Sequence, residues 1–272
     1  MLMITTILMG GLGNQLFQVF NLLSYAESQK QEFYLEDLPV QRVDRPFYWD
    51  TFLAPLRKYL KPIQSLPVYQ ERGFSYEPIL PYRQIQQPFK LLGYFQSYKY
   101  FQKNQDYILE QIQLDETLAK TRDKYPFEYS DFISLHFRIG DYQYLPDHHP
   151  VLPLSYYSNA LNVMMTMTTA RRVLYFYEAN DQVHVDHYIE ELKTMFPEMT
   201  FLPIDHNIPD YEQLSIMACC AHQIIANSTF SWWGAYFNAT PDKVITYPSI
   251  WFGPAQGNKD MTDLFPTTWI KI

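Results

Sequence analysis

Three chargeable side chains leave one strand end together in His136-Phe137-Arg138-Ile139-Gly140-Asp141-Tyr142. The apolar run Phe132-Ile133-Ser134-Leu135 before them predicts a short buried strand. Gly140 lets the backbone turn sharply after it. In open α/β sheets the carboxyl ends of strands are where ligands bind. An arginine there suits a phosphate, because its planar fork donates two parallel hydrogen bonds. The same residues admit a plainer arrangement, in which Arg138 and Asp141 simply pair at the strand end. His136 likewise reads either as a ligand neighbour or as an ordinary, satisfied side chain.

A second cluster is Ala226-Asn227-Ser228-Thr229-Phe230-Ser231-Trp232-Trp233-Gly234-Ala235-Tyr236. Its small polar residues stand between a predicted strand, 222–226, and a turn and helix predicted over 228–237. Ser228 and Thr229 can cap that helix. Their hydroxyls and the free N–H groups can instead hold a phosphate or ribose. Trp232-Trp233 reads as core before stacking platform.

A third candidate is the glycine-rich turn Gly10-Gly11-Leu12-Gly13-Asn14-Gln15. It follows a predicted strand, 2–9, and precedes a helix marked by Leu16, Val19, Phe20, Leu23 and Tyr25-Ala26. Strand, turn and helix together present backbone N–H groups to a ligand. Leu16 stands where a dinucleotide fingerprint needs its third glycine, which disfavours a nicotinamide oxidoreductase. No His, Cys or Asp cluster has metal-ligand spacing; Asp147-His148-His149 does not complete a site. Gly-x-Ser-x-Gly and Gly-x-x-x-x-Gly-Lys-Ser/Thr are both absent, so a hydrolase elbow and a P-loop are unsupported.

The elements that must position these residues read as an α/β protein. From Asp131 onward predicted strands (132–136, 172–177, 200–202, 222–226 and, last, 244–248) alternate with predicted helices (155–167, 184–195, 211–220), a pattern for a doubly wound parallel sheet. Residues 38–90, rich in Pro, Tyr and Gln, predict short helices and long connections. Leu91 to Ser97 is another strand-to-loop candidate, and an amphipathic helix runs from Tyr100 through Ile112. The charged run Lys120-Thr121-Arg122-Asp123-Lys124-Tyr125-Pro126 marks a domain boundary, giving domains 1–125 and 126–272.

Composition bounds the partners. With Lys+Arg 21 against Asp+Glu 29, the net charge of −8 argues against nucleic acid and anionic membranes, though not against one small anion. Hydrophobic residues at 47% supply a core. Aromatic content of 17% is compatible with a sugar or nucleotide site, though most rings are expected in packing. Cys219-Cys220 sit in an apolar helical stretch and read as small buried hydrophobes, which fits a reducing compartment. No basic leader and no apolar run of about 18 residues is visible, so a cytoplasmic protein without a transmembrane anchor is expected.

Taken together, four blocks resemble a known family. Met9 to Gln18 is similar to the opening motif of the α-1,2-fucosyltransferases of glycosyltransferase family 11. Gly93-Tyr94-Phe95-Gln96-Ser97-Tyr98-Lys99-Tyr100-Phe101 resembles the family's Gly-Tyr-x-Gln-Ser-Glu-Lys-Tyr-Phe. His136 to Tyr142 matches its His-x-Arg-x-Gly-Asp-Tyr, and Ile224 to Ala235 its C-terminal motif. The resemblance implies a GT-B fold of two Rossmann-like domains facing a cleft, with the acceptor on the N-terminal domain and the nucleotide on the C-terminal one. It implies inversion, no cofactor or required metal, GDP-fucose as donor and the 2-hydroxyl of a galactose-containing glycan as acceptor. By that likeness Arg138 holds the diphosphate, His136 lies close to the nucleotide, Asn14 approaches the sugar and phosphates, and Ser228 and Thr229 contact diphosphate or ribose. Gly11, Gln15 and Asn227 complete the substrate-binding set. Asp141 is expected to be needed, as general base or as the residue that orients Arg138. Where the family carries Phe-Ser-Asp-Asp this chain has Tyr177-Glu178-Ala179-Asn180-Asp181, so the carboxylate that meets the nucleotide is open. Tyr98 replaces the usual Glu. Rival readings are another linkage or GDP-sugar, and a non-catalytic sugar-nucleotide-binding protein.

Overall fold

In a computed structural model, residues 3–37 and 46–272 are described. The chain divides into two units, Met1–Thr117 with Asp260–Pro266 and Leu118–Lys259 with Thr267–Ile272.

The first unit begins β1 (Met3–Thr6), α1 (Leu12–Gln29), β2 (Glu32–Phe33) and β3 (Leu35–Glu36). It continues with β4 (Leu60–Lys61), β5 (Val68–Gln70), α2 (Tyr82–Ile85), β6 (Phe89–Leu92) and α3 (Gln105–Gln111). Helix α4 (Leu114–Lys124) carries the junction. The main sheet is parallel, in the order β2-β1-β6-β5, and β3 pairs separately with β4. Helix α1 is buried on nearly every side over its first four turns, so it is a core helix rather than a surface one. Phe101, beyond β6, closes on it: its ring lies 5.3 Å from Phe20 and 6.0 Å from Phe17.

Local chemistry departs from the sequence expectation at several points. Helix α1 starts at Leu12, so only Gly10 and Gly11 form the turn, and Gly13, Asn14 and Gln15 are already helical. The burial of this helix outweighs the poor propensity of Gly13. Strand β5 was not expected; three residues at a sheet edge, with Val68 exposed, leave no readable alternation. Residues 38–45 of the segment expected to hold short helices, and Leu2 of the first predicted strand, lie outside the described residues. The charged run from Lys120 to Lys124 is the end of α4, with Lys124 Nζ paired to Glu212 at 2.8 Å. The division thus falls at 117/118 inside that helix, where the sequence had suggested 125/126, and it returns 260–266 to the first unit.

The second unit comprises β7 (Phe132–His136), α5 (Leu154–Met167), β8 (Arg172–Phe176), α6 (Gln182–Met195) and β9 (Thr200–Pro203). Then follow α7 (Asp210–Cys219), β10 (His222–Ile224), α8 (Thr229–Tyr236), β11 (Ile245–Tyr247) and β12 (Ile270–Lys271). The chain does not end its sheet at β11, as expected. The two residues of β12 pair beside it, too few to announce themselves in a pattern. All neighbours are parallel, in the order β12-β11-β10-β7-β8-β9. Numbered within the unit, that is 3-2-1-4-5-6 read from β9, the doubly wound dinucleotide-fold order.

Strand β7 is buried at every position, as a strand covered on both faces must be. Ile133, Leu135, Val173 and Ile224 pack with Tyr157, Leu161 and Met164 of α5 and Val185, Ile189 and Leu192 of α6. Trp232 and Trp233 are fully buried, with Tyr236 stacked on Trp232 at 4.8 Å, so the pair is core. Cys219 and Cys220 are buried free thiols, and burial pushes both above the usual thiol range. Among the described residues no helix is long and apolar enough to cross a membrane.

Candidate functional site at the strand ends

The four sequence blocks meet in pairs, one pair in each unit. In the second unit strand order reverses between β7 and β10. The His136–Tyr142 block follows β7 and the Ala226–Tyr236 block follows β10. In the first unit β1 and β6 are the two central, neighbouring strands; the Met9–Gln18 block follows β1 and the Gly93–Phe101 block follows β6. Carboxyl ends at a switch point form the ligand crevice of doubly wound sheets, because neighbouring connections there leave to opposite faces.

At the second unit's switch point Arg138 lies two residues beyond β7. Its guanidinium pairs with the carboxylates of both Asp141 and Glu178 and lies 4.8 Å over the Tyr142 ring. The plainer pairing considered from sequence is therefore present, and it sits at a ligand-type position. Glu178 escaped the sequence reading as a partner of Arg138. The signal was its place just past the predicted strand 172–177, but contact between neighbouring strand ends follows only from β7 and β8 lying side by side.

Glycine is required at position 140. Its φ is +31°, and a Cβ would come within 3.1 Å of Glu178 Oε2. The Gly140 N–H donates to Asp181 Oδ2 at 2.8 Å. Asp181 is buried and braces this turn, whereas Glu178 is half exposed. Of the two carboxylates left open by the sequence, Glu178 is the one presented at the crevice. The Tyr142 hydroxyl donates to the Asn227 carbonyl at 3.2 Å, tying the β7 and β10 loops. The Tyr142 ring stacks on His149 at 4.7 Å.

Beyond β10, Asn227 donates its amide to the carbonyls of Pro150 at 2.9 Å and Trp251 at 3.4 Å. Ser228 is the N-cap of α8, its Oγ accepting from the Phe230 N–H at 3.3 Å. Thr229 opens that helix. The capping reading thus holds for Ser228, while the amide end of α8 still points its partial positive charge out of the sheet.

Two buried polar atoms here, His136 Nδ1 and Asn227 Oδ1, have no hydrogen-bond partner among the described residues. Such atoms are costly and call for a functional reason. Burial, and then the nearby Arg138 charge, lower the His136 pKa from 6.5 to about 3, so the imidazole is neutral at physiological pH. The unfolded chain binds the His136 proton below 6.5 and the folded chain only near 3. The stability this group contributes is therefore full above pH 6.5 and is lost as pH falls towards 3. Between pH 7 and 5, His136 is expected to account for about 2 kcal/mol of lost stability. Denaturant titrations of wild type and His136→Phe at both pH values check this; an equal pH dependence of the two proteins would contradict it.

In the first unit Gly10 has φ +75°, and a Cβ there would lie 2.5 Å from Asn14 Nδ2. The turn is clasped from within its own block. Gln18 accepts from the Met9 N–H at 2.9 Å, and Gln15 donates to the carbonyls of Gly10 and Pro46, both at 2.9 Å. Gln15 is buried, so its place is under the turn. Gly11 is the extended N-cap of α1. Asn14 is half-buried and accepts from Gln96 Nε2 at 2.9 Å, which joins the first block to the second. Sequence reading gave Gln96 no task; only the adjacency of β1 and β6 reveals one. Beyond it, Ser97 Oγ donates to the Asp263 carbonyl at 2.6 Å and Lys99 pairs with the Asp263 carboxylate. Among the described residues, no three His, Cys, Asp or Glu side chains gather to hold a metal.

A sequence model for glycosyl transferase family 11 matches residues 80–272. An O-antigen biosynthesis glycosyltransferase, WbnK, of Escherichia coli is 30% identical over 200 residues, covering 70% of this chain and 62% of that protein. The match thus spans under two thirds of that relative's length. An alpha-1,2-colitosyltransferase of Escherichia coli is 24% identical over 294 residues, 97% of each chain. Among solved structures, the E. coli ADP-heptose lipopolysaccharide heptosyltransferase II superposes with TM-score 0.54, at 10% identity, over 100% of this chain and 90% of that one. This last likeness is one of fold, and the α/β units with parallel sheets are of the GT-B class expected from sequence.

Proposed function

The chain belongs to glycosyl transferase family 11, and from that premise we propose that it moves L-fucose from GDP-fucose to the 2-hydroxyl of a galactose-containing glycan, with inversion and without a metal ion. The observation that carries this reading is Arg138 just past β7, at the switch point of the second sheet, with α8 beginning beyond the neighbouring β10. As the acceptor hydroxyl oxygen bonds to C1 of fucose and gives up its proton to the departing phosphate or to water, the bond from C1 to the diphosphate oxygen breaks. GDP departs with the electron pair. Charge gathers on the departing phosphate, and donors fixed in advance stabilise it most. Arg138 and the first N–H groups of α8 are such donors. Asp141 acts as a positioning residue, holding the guanidinium through its ion pair. His136, neutral and with its pKa near 3, is too weak a base to take the acceptor proton; it offers a polar edge to the nucleotide. Asn14 serves the sugar side, with Gly11 and Gln15 shaping its turn. Asn227, Ser228 and Thr229 line the nucleotide side.

Calorimetric titration in EDTA with GDP, ADP and UDP tests the donor. GDP is expected to bind, with the other two at least about tenfold weaker, a difference of about 1.4 kcal/mol. Absence of GDP binding, or binding only after a divalent metal is added, would overturn the assignment.

The full-length match to a protein named for colitose favours a second reading of the sugar. Colitose is fucose without its 3-hydroxyl. A site built to hydrogen-bond that hydroxyl rejects the deoxy sugar by about 10⁴-fold, whereas mere space for it does not. The ratio of kcat/KM for the two GDP-sugars decides between them.

A further inference from the structure

We propose that Glu178 is a positioning residue that competes with the donor phosphate for Arg138 and so hastens the release of GDP; this deepens the donor reading above and rests on it. Both terminal nitrogens of the guanidinium are engaged. Nη2 donates to Asp141 and Nη1 to Glu178. The Tyr142 ring covers one face at 4.8 Å. A phosphate reaches these donors only by sharing or displacing a carboxylate, because the two anions want the same N–H groups and repel each other.

Glu178 is the carboxylate that yields. Asp141 is three residues from Arg138, in the same turn. Glu178 instead reaches across from just beyond β8, on a side chain with one more rotatable bond. That side chain is 54% exposed, so it returns to water at little cost. It holds no local structure. Glu178 precedes the helical turn 179–181 without capping it, and the brace on the Gly140 N–H is Asp181. Arg138 keeps its place when Glu178 leaves. The Tyr142 ring that supports it is packed on His149 at 4.7 Å and tied through its hydroxyl to the Asn227 carbonyl.

The place Glu178 fills suits an oxyanion. Its Oε2 lies over residue 140, where a Cβ would come within 3.1 Å of that oxygen and 3.5 Å of Arg138 Nη1. Glycine thus leaves room for an oxygen beside Nη1 that a side chain would crowd. A carboxylate and a phosphate both present paired, negative oxygens to an arginine fork. Each terminal nitrogen carries two N–H groups, so Nη2 can serve Asp141 and a phosphate together once Nη1 is released.

The test compares wild type with Glu178→Gln, which keeps the size and removes the charge, and with Glu178→Ala. Thermal melts on the same preparations verify folding. Calorimetry with GDP, ADP and UDP reads nucleotide binding, and saturation-transfer NMR reads guanosine, which has no phosphate. GDP is expected to bind about three- to tenfold tighter to both variants, and guanosine to stay within about twofold of wild type. Inhibition of transfer by added GDP strengthens in parallel. A Glu178 that merely supported the fold would weaken both ligands when replaced, and one that held the ribose would weaken guanosine with GDP. GDP affinity at or below the wild-type value in both variants overturns the proposal and leaves the donor reading standing. Tighter binding of ADP or UDP by the variants, with no GDP binding, retains the role of Glu178 and overturns the donor reading. Absence of binding of all three nucleotides to all three proteins overturns both.

Discussion

Arg138→Ala is expected to lower the rate of transfer by about 10³-fold and to weaken GDP binding, since removing one fixed donor to a developing oxyanion costs about 3–4 kcal/mol. Two effects add. The fork that meets the leaving phosphate is lost. Asp141 and Glu178, which now flank the guanidinium, are left as two uncompensated carboxylates at the proposed diphosphate site. Folding should change little, because both carboxylates are half exposed and remain hydrated. Arg138→Lys should recover only a small part of the rate, because an ammonium has no planar fork to span two oxygens. Single-turnover transfer, GDP titration and thermal melts on the same preparations check this. Turnover by Arg138→Ala near that of wild type would remove Arg138 from the reaction.

Gly10→Ala has the second largest expected effect, and it acts in the other unit. Residue 10 holds φ +75°, and a non-glycine residue in the left-handed region costs about 1–2 kcal/mol. The added methyl also meets Asn14 Nδ2, so the Asn14 side chain must turn away from its bond with Gln96. A melting midpoint lower by about 2–8 °C is expected, with transfer reduced about tenfold or more if Asn14 serves the sugar. GDP affinity should fall far less than transfer, since Arg138 belongs to the second unit. Asn14→Ala should reproduce the loss of transfer without the strain. Wild-type transfer by both variants would detach the glycine-rich turn from function.

These expectations show which parts of the protein its sequence discloses. The run Phe132 to Leu135 was legible as a strand because both faces are buried, and the change to charged residues at its end is abrupt. Strand β8 was legible for the same reason, and helices α5, α6 and α7 were legible within a residue or two from their length and apolar residues. The start of α1 was misjudged because Gly13 argues against a helix that burial nonetheless imposes. Strands β5 and β12 are too short to carry a period. At the site, Arg138 could be placed at a strand end, but not beside Glu178, because that contact depends on β8 lying next to β7. The pairing of the four blocks at the ends of two pairs of neighbouring strands was hidden for the same physical reason: strand order is a long-range property, set by which sheet faces the helices must cover. Gln15 illustrates the converse. Its motif suggested a ligand contact but not that its amide N–H groups would go to the Gly10 and Pro46 carbonyls beneath the turn.

Incubating the wild-type protein with GDP-fucose and lactose in EDTA, followed by linkage analysis of the product, tests the central claim most directly. One fucose α-linked to the 2-hydroxyl of galactose, with GDP released in equal amount, is the predicted result. A protein that binds GDP yet yields no fucosylated product, joins fucose at another hydroxyl, or works only once a divalent metal is restored would contradict it.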